Sequence, residues 1–256
     1  RHCDWSSDVC TSAPPTQRRG RTVFCLYPHQ DLYQVPAGAV RVLPEGVPPG
    51  RAVLAANLET AVNACWDARP LVGDRVVVVG GGVVGLLTAW LCRRIPATRV
   101  LVVDPEAARE DVAGALGVSW QPAVPPGLDA DLVVHASGTP DGLRSALDAA
   151  GTEATILELS RFGARSVELP LGEAFHARRL TLQSSQVGSI PPHRAPRWDH
   201  ARRLDLALAL LKDPVLDVLI TGESDFQDLP AVMERLSGAP GGTLCHRIRY
   251  GSSQAP

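Results

Sequence analysis

The chain has 256 residues, 45% of them hydrophobic, which is enough for a sizeable core in one large domain or two modest ones. Its 25 basic and 27 acidic residues are interspersed and leave a formal net charge of −2, so composition argues against a nucleic-acid footprint or a membrane-surface patch. The apolar runs are too short to span a membrane, and the scattered cysteines predict reduced thiols in a cytoplasmic protein.

The first residues differ from the rest of the chain. The sequence opens on Arg1, and its only methionine is Met233. The run from Cys3 to Cys10 matches the translation of a common sequencing-adapter primer. We therefore predict a non-native, adapter-derived tail at residues 1–18 and leave it out of the fold reasoning. A genuine polar tail is the alternative.

Short apolar runs separated by prolines come next. They predict strands at residues 22–26, 31–35 and 40–43. Leu54, Leu58 and Val62 then recur at helical spacing, so we expect an amphipathic helix at residues 52–67.

The middle of the chain alternates apolar runs with helical segments. Strands are predicted at residues 76–79, 100–103, 132–134, 154–157 and 180–183, and helices at 83–94, 106–116 and 141–150. Such βαβ units build a doubly wound parallel sheet with helices on both faces, so the fold class is α/β of Rossmann type.

The end of the chain no longer repeats this βαβ rhythm. Asp199 is a predicted N-cap for a helix carrying Leu204, Leu208 and Leu211 on one face. A strand at 218–221, a helix at 229–236 and a strand at 243–249 are predicted after it. This part therefore belongs to another domain.

A glycine-rich loop follows the first strand of the βαβ section. Its residues are Gly80, Gly81, Gly82, Val83, Val84 and Gly85. In a G-x-G-x-x-G loop between strand and helix, Gly80 permits the tight turn, Gly82 lets backbone approach a pyrophosphate, and Gly85 lets helix and strand pack closely. The helix N-terminus offers amide groups and a positive dipole end to the phosphates. The loop predicts dinucleotide binding.

Asp104 ends the next strand, 19 residues after Gly85, where a carboxylate can accept hydrogen bonds from the adenosine ribose. The same carboxylate would repel the 2′-phosphate of NADP, so NAD is the expected cofactor. Arg109 could soften that repulsion, but we interpret it as a solvated helix residue. A purely structural βαβ turn and a methyltransferase loop are the alternative interpretations of the motif.

From Gly20 to about Tyr250 the sequence resembles the medium-chain dehydrogenase/reductase superfamily, the zinc-type alcohol dehydrogenases and their relatives. The matching segments are residues 73–80 (GDRVVVVG), 136–138 (ASG) and 216–220 (LDVLI). The resemblance implies a dinucleotide-binding domain at residues 56–189. It also implies a partial β-rich, GroES-like catalytic domain from residues 19–55 and 190–250, so that the chain is an N-terminally truncated fragment.

The resemblance also suggests positions for further cofactor contacts. Thr60 matches a threonine beside the nicotinamide, Ser137 and Gly138 match the turn under a ribose, and Ser160 matches the loop that reaches the nicotinamide. Each could instead be an ordinary capping or turn residue. His29 and His135 are interpreted as a solvated loop residue and a satisfied polar residue at the sheet's edge.

No metal site is expected in this chain. The loop at residues 27–30 is too short for the family's four-cysteine lobe, so a structural zinc is not expected. The resemblance places the catalytic-zinc cysteine and its His-Glu pair before Gly20. The family's further metal-ligand position corresponds to Ala56, which cannot bind a metal, and the nearest carboxylate, Glu59, does not align with that position. A catalytic zinc therefore belongs to the full-length protein only.

The resulting functional prediction is an NAD(P)-dependent oxidoreductase that passes hydride between nicotinamide and an alcohol or carbonyl substrate. A non-catalytic nucleotide-binding paralogue is the alternative. Short-chain dehydrogenase chemistry is excluded because no tyrosine is followed by a lysine at the fourth position. We expect a small-molecule substrate, cofactor binding without turnover by the chain as it stands, unknown catalytic residues, and leave a homodimer open.

Overall fold

The computed structural model of the chain describes residues 7–10, 20–239 and 241–251. The chain folds into two compact units. Unit 1 comprises Arg1–Ala56 and Ala201–Pro256, and unit 2 comprises Asn57–His200. Apart from residues 7–10, the predicted tail at residues 1–18 lies outside the described residues.

Unit 2 is built on a six-stranded parallel sheet. Its strands are β4 (Arg75–Val79), β5 (Arg99–Val103), β6 (Ser119–Gln121), β7 (Ala130–His135), β8 (Ala150–Glu158) and β9 (Thr181–Ser184). They lie in the order β6-β5-β4-β7-β8-β9. Numbered along the chain within the sheet, this is 3-2-1-4-5-6, the doubly wound Rossmann order, so the predicted fold class is confirmed.

Helices follow the strands as the βαβ pattern requires. They are α2 (Val83–Arg93), α3 (Arg109–Ala115) and α4 (Pro140–Ala149), preceded by α1 (Ala55–Ala68), and a π-helical turn lies at Leu171–Phe175. Thr139 caps α4 by accepting a hydrogen bond from the Gly142 N–H, and Pro140 occupies the first helical position.

The sheet is buried on both faces, which explains its continuous apolar strands. Val76, Val77, Val78 and Val79 are all buried in β4, which lies between β5 and β7. One side packs against α4 in a core that includes Val133, Leu143 and Ile156. Because β4, β5, β7 and β8 are parallel, their carboxyl ends meet at one edge of the sheet.

Unit 1 contains two small sheets. An antiparallel sheet joins β1 (Ser7–Cys10), β2 (Val23–Leu26) and β3 (Val40–Val42), and a parallel pair joins β10 (Ile220–Asp225) and β11 (Cys245–Arg249). Its helices are α5 (His200–Leu210) and α6 (Leu229–Gly238), with 3-10 turns at Ala37–Ala39, Pro49–Leu54, Pro214–Leu219 and Phe226–Asp228.

Prediction and structure differ at two elements. Residues 31–35 do not form a strand: Leu32 is 84% exposed, and Tyr33 stacks on Tyr27 while only half-buried. The strand β6 was missed because it has only three residues, none of them fully buried. No helix in the described part of the chain combines the length and hydropathy needed to cross a membrane.

Candidate dinucleotide site

The loop between β4 and α2 makes its tight turn at Gly80. Gly80 has a φ of +112°, a conformation that side-chain-bearing residues rarely adopt. Its N–H donates to the Val103 carbonyl at 2.8 Å, which anchors the turn to β5. A Cβ at this position would lie 2.5 Å from the backbone nitrogen of Ser137. Glycine is therefore required by both conformation and space.

The other two motif glycines have different physical reasons. A Cβ on Gly85 would overlap the Gly80 carbonyl oxygen, since the first turn of α2 packs directly on the loop. A Cβ on Gly82 would meet no protein atom within 4 Å, and Gly82 is exposed at a φ of −73°. Packing within the described residues therefore explains why position 85 needs glycine. It gives no reason for glycine at position 82.

Val83 and Val84 open helix α2, and both are half-buried. The amide groups in a helix's first turn have no acceptor within the helix and carry the positive end of its dipole. Here Gly82 is the N-cap and supplies no side chain to cover them. The geometry is the one that binds a phosphate group at a helix N-terminus.

Asp104 lies immediately after β5 and contacts the same loop. Its Oδ2 accepts a hydrogen bond from the Gly81 N–H at 2.6 Å, and its Oδ1 accepts one from the Glu106 N–H at 2.9 Å. Each carboxylate oxygen can accept more than one hydrogen bond, so the half-buried carboxylate remains able to bind a hydroxyl group. Asp104 is thus held in a defined orientation against the loop.

Arg109 lies beside Asp104 and not in solvent. Its residue exposure is only 9%, and a Cβ on Gly81 would lie 3.1 Å from the Asp104 Cβ and 3.2 Å from the Arg109 Cγ. The interpretation of Arg109 as a solvated helix residue is therefore wrong. The first residue of α3 packs its side-chain stem back over the loop, which spacing along a helix does not reveal.

Ser137 and Gly138 follow β7, and Ser160 follows β8, at the same edge of the sheet. The Gly138 N–H donates to the Ser160 Oγ at 3.0 Å, so the two loops are in direct contact. Gly138 has a φ of +70°, and the Ser137 backbone lies against Gly80. The structure thus brings Gly80, Ser137, Gly138 and Ser160 together, although their cofactor roles remain predictions.

A buried histidine and a glutamate connect these loops. His135 is fully buried, and its Nδ1 lies 2.7 Å from the Glu158 Oε2 while its Nε2 lies 2.7 Å from the Ser137 Oγ. The Glu158 Oε1 accepts a hydrogen bond from the Ser160 N–H at 2.6 Å. The interpretation of His135 as a satisfied polar residue agrees with these contacts, whereas Glu158 was missed. The signal was available: the two residues end neighbouring strands and are paired in register.

The series Glu158, His135 and Ser137 resembles a nucleophilic triad in its distances but not in its surroundings. The Ser137 Oγ also accepts from the Thr139 N–H at 3.3 Å and lies 3.0 Å from the Thr139 Oγ1. A Cβ on Gly142 would overlap that same oxygen. The oxygen therefore faces the first turn of α4, and a carbonyl carbon has no approach to it from that side.

Thr60 lies in the middle of α1 and is half-buried. Its place beside the nicotinamide remains a prediction. Ala56 is buried at the start of the same helix. Among residues 7–10, 20–239 and 241–251, no group of three or more His, Cys, Asp or Glu side chains is arranged to hold a metal ion.

The sheet order and the glycine loop define the class of protein: unit 2 is a Rossmann-type domain. No protein-family model matches the chain. A D-guloside 3-dehydrogenase of Escherichia coli (strain K12) is 29% identical over 203 residues, covering 74% of this chain and 55% of the relative. A scyllo-inosose 3-dehydrogenase of Thermotoga maritima is 30% identical over 171 residues, covering 56% and 42%. The chain spans about half the length of these curated relatives.

Among solved structures, a protein from E. coli CFT073 described as a short-chain alcohol dehydrogenase, complexed with NADH, matches with a TM-score of 0.71. The match covers 92% of this chain and 78% of that one at 19% identity, a level at which the likeness is one of fold. The sequence relatives are dehydrogenases, which bears out the resemblance to the zinc-type alcohol dehydrogenases and their relatives, and the solved structure bears out the fold.

Proposed function

We propose that the chain is part of an NAD-dependent oxidoreductase that transfers hydride between nicotinamide and a hydroxyl or carbonyl group of a small substrate. Unit 2 is its cofactor domain, and unit 1 is part of its catalytic domain. The observation that carries the proposal is the exposed helix N-terminus at Gly82, where protein packing does not explain a glycine but close approach of a pyrophosphate does.

The residues present fit a dinucleotide across the carboxyl edge of the sheet. The amide groups at the start of α2 bind the pyrophosphate, and the Asp104 carboxylate, oriented by Gly81, accepts hydrogen bonds from the adenosine ribose. The loops containing Gly138 and Ser160 face the second half of the cofactor. When bound, NAD supplies the hydride acceptor for the oxidation of an alcohol.

The names of the relatives support a substrate class for the proposal. The D-guloside and scyllo-inosose dehydrogenases are named for ring compounds that carry several hydroxyl groups. We assign the same class, a polyol or sugar derivative, to the whole protein. A metal ion has no suitable ligand group among the described residues.

The test of cofactor binding uses Gly82→Ala. We expect the parent chain to bind NADH, seen as an increase in nicotinamide fluorescence on titration. A methyl group at Gly82 would lie between the helix N-terminus and the pyrophosphate. Gly82→Ala should therefore lower the affinity for NADH about tenfold or more. Its unfolding midpoint should remain close to that of the parent, because the added Cβ meets no protein atom within 4 Å. Absence of NADH binding by the parent would contradict the proposed function.

The choice of NAD over NADP is assigned to Asp104. The parent should prefer NADH to NADPH, because the carboxylate accepts ribose hydrogen bonds and repels a 2′-phosphate. Asp104→Ser removes both effects and should reduce that preference about tenfold. Asp111→Ser, which removes an exposed negative charge from α3, is the matched control and should leave the preference unchanged. Equal affinity of the parent for both cofactors would rule out this role.

A further inference from the structure

The Glu158–His135 pair contributes no predicted cofactor contact, yet it lies between the two loops that do. Glu158 is bound through both oxygens, one to the His135 Nδ1 and one to the Ser160 N–H. His135 is fully buried and continues the chain of hydrogen bonds to Ser137. A fully buried imidazole and a carboxylate whose side chain is only 15% exposed are costly to desolvate, so their presence at this edge calls for a reason.

With an ionised carboxylate and a neutral imidazole, the hydrogen bonds of this pair have one consistent direction. An ionised carboxylate only accepts, so the proton of a neutral imidazole must be on Nδ1, which leaves Nε2 as an acceptor. Nε2 then accepts the hydroxyl proton of Ser137. Ser137 in turn accepts from the Thr139 N–H, and its oxygen has room for the Thr139 hydroxyl as a second donor.

The same assignment determines what Ser160 can do. Its Oγ accepts from the Gly138 N–H at 3.0 Å and lies 3.3 Å from His135 Nδ1, which already carries a proton. The hydroxyl hydrogen of Ser160 is therefore not accepted by the histidine. It is left to donate to a group outside this set of contacts.

The position of the network in the sheet indicates which half of a dinucleotide it serves. In the 3-2-1-4-5-6 order, the half formed by β4, β5 and β6 holds one mononucleotide and the half formed by β7, β8 and β9 holds the other. Asp104 ends β5, on the adenosine side. His135 and Glu158 end β7 and β8 and so lie on the opposite side.

We propose that Glu158 and His135 are positioning residues for the nicotinamide-ribose half of the cofactor. Glu158 holds His135 in the Nδ1–H tautomer, and the pair locks the Ser137–Gly138 turn and orients Ser160 as a hydrogen-bond donor. This inference rests on the proposed function, because it assumes that the site binds a nicotinamide dinucleotide.

The variant Glu158→Gln tests the proposal without changing side-chain volume. His135 and the Ser160 N–H bond to different oxygens of Glu158, and glutamine has an oxygen at only one of those two places, so it cannot keep both bonds in their present positions. If its oxygen stays with Ser160, its amide group donates to Nδ1 and forces His135 into the Nε2–H tautomer, which reverses the bond to Ser137. A change of tautomer at an otherwise intact site is a recognised way to disable a histidine.

Two ligands separate this role from general damage. Glu158→Gln should lower the affinity for NADH about tenfold, equivalent to one hydrogen bond of roughly 1.4 kcal/mol. It should leave the affinity for AMP unchanged, because AMP occupies the adenosine half alone. Ser160→Ala should show the same selectivity. Glu153→Gln, in the same strand but at an exposed pair with Arg179, is the matched control and should change neither affinity.

Nitrogen-15 NMR of the histidine ring gives a readout that does not depend on the ligand. The parent should show His135 protonated on Nδ1, and Glu158→Gln should show it protonated on Nε2. An Nε2–H tautomer in the parent, or unchanged NADH affinity in a folded Glu158→Gln, would overturn the positioning role alone. If the parent binds neither NADH nor AMP, the proposed function fails and the positioning role fails with it.

Discussion

Replacing Gly85 with alanine is expected to lower the free energy of unfolding by about 3 kcal/mol or more. The new Cβ would overlap the Gly80 carbonyl oxygen and lie 3.3 Å from the Val78 Cγ1. Neither neighbour can move easily. Gly80 is anchored to Val103 by a 2.8 Å hydrogen bond and packed against Ser137, and Val78 is fully buried in β4. Urea unfolding followed by far-ultraviolet circular dichroism measures the effect.

The matched control is the same substitution at Gly114 in α3. A Cβ there would meet no other part of the described chain within 4 Å. Alanine is a better helix former than glycine by about 1 kcal/mol, so Gly114→Ala should leave stability unchanged or raise it slightly. A Gly85→Ala variant as stable as the parent would show that the close approach of helix and loop does not require glycine.

Removing the carboxylate that pairs with Arg51 should have the second large effect. Arg51 is 5% exposed, and its guanidinium donates two hydrogen bonds to Asp217, at 2.7 and 2.6 Å. Its Nη1 donates to the Leu211 carbonyl at 3.0 Å. Asp217→Asn would leave a buried guanidinium without its hydrogen-bonded counter-charge, with the Asp213 carboxylate as the remaining nearby negative charge, and should cost about 2–3 kcal/mol at pH 7. The expected loss is no larger than that for breaking a fully buried pair, because the Asp217 side chain is 57% exposed and its charge is partly screened by water.

The same pair predicts a pH dependence of known sign. The hydrogen bonds from Arg51 hold the pKa of Asp217 below its usual range. A lowered carboxyl pKa contributes stability that is complete above the unfolded-state value and is lost as the pH falls through the native value. The difference in unfolding free energy between the parent and Asp217→Asn should therefore be constant from pH 7 down to about pH 4 and should shrink below that.

A surface pair provides the comparison for this prediction. Arg41 and Asp205 are 3.4 Å apart, and the Asp205 side chain is 60% exposed. Because solvent screens exposed pairs, Asp205→Asn should cost no more than about 1 kcal/mol and should show no comparable change at acid pH. Equal losses in the two variants would mean that burial of Arg51 does not set the strength of its pair.

The local sequence around the glycine loop predicts part of its structure and leaves part undetermined. Its place after an apolar strand and before a helix was sufficient to predict β4, the turn and α2. The separate roles of the three glycines could be predicted only in part. The roles predicted for Gly80 and Gly85 agree with the contacts in the structure, but the finding that Gly82 meets no neighbouring atom required coordinates.

Short or exposed segments were predicted less well, for a physical reason. The strand β6 owes its existence to pairing with Leu101, Val102 and Val103 of β5, not to its own three residues. Residues 31–35 include Tyr33 and Val35, residue types that favour a strand, yet they find no partner strand in the described chain. In both cases the deciding contribution comes from distant residues, which a local pattern does not contain.

The sequence by itself determined the Rossmann class, the location of the glycine loop and the succession of strands and helices along unit 2 except for β6, because periodicity and turn chemistry are local properties. Tertiary structure decided which side chains meet at the carboxyl edge of the sheet. His135 and Glu158 are 23 residues apart and become partners only because β7 and β8 pair in parallel register. Arg109 is buried only because α3 returns over the loop. Such contacts depend on the packing of whole elements, so the chemistry of the edge is established only once the sheet has formed.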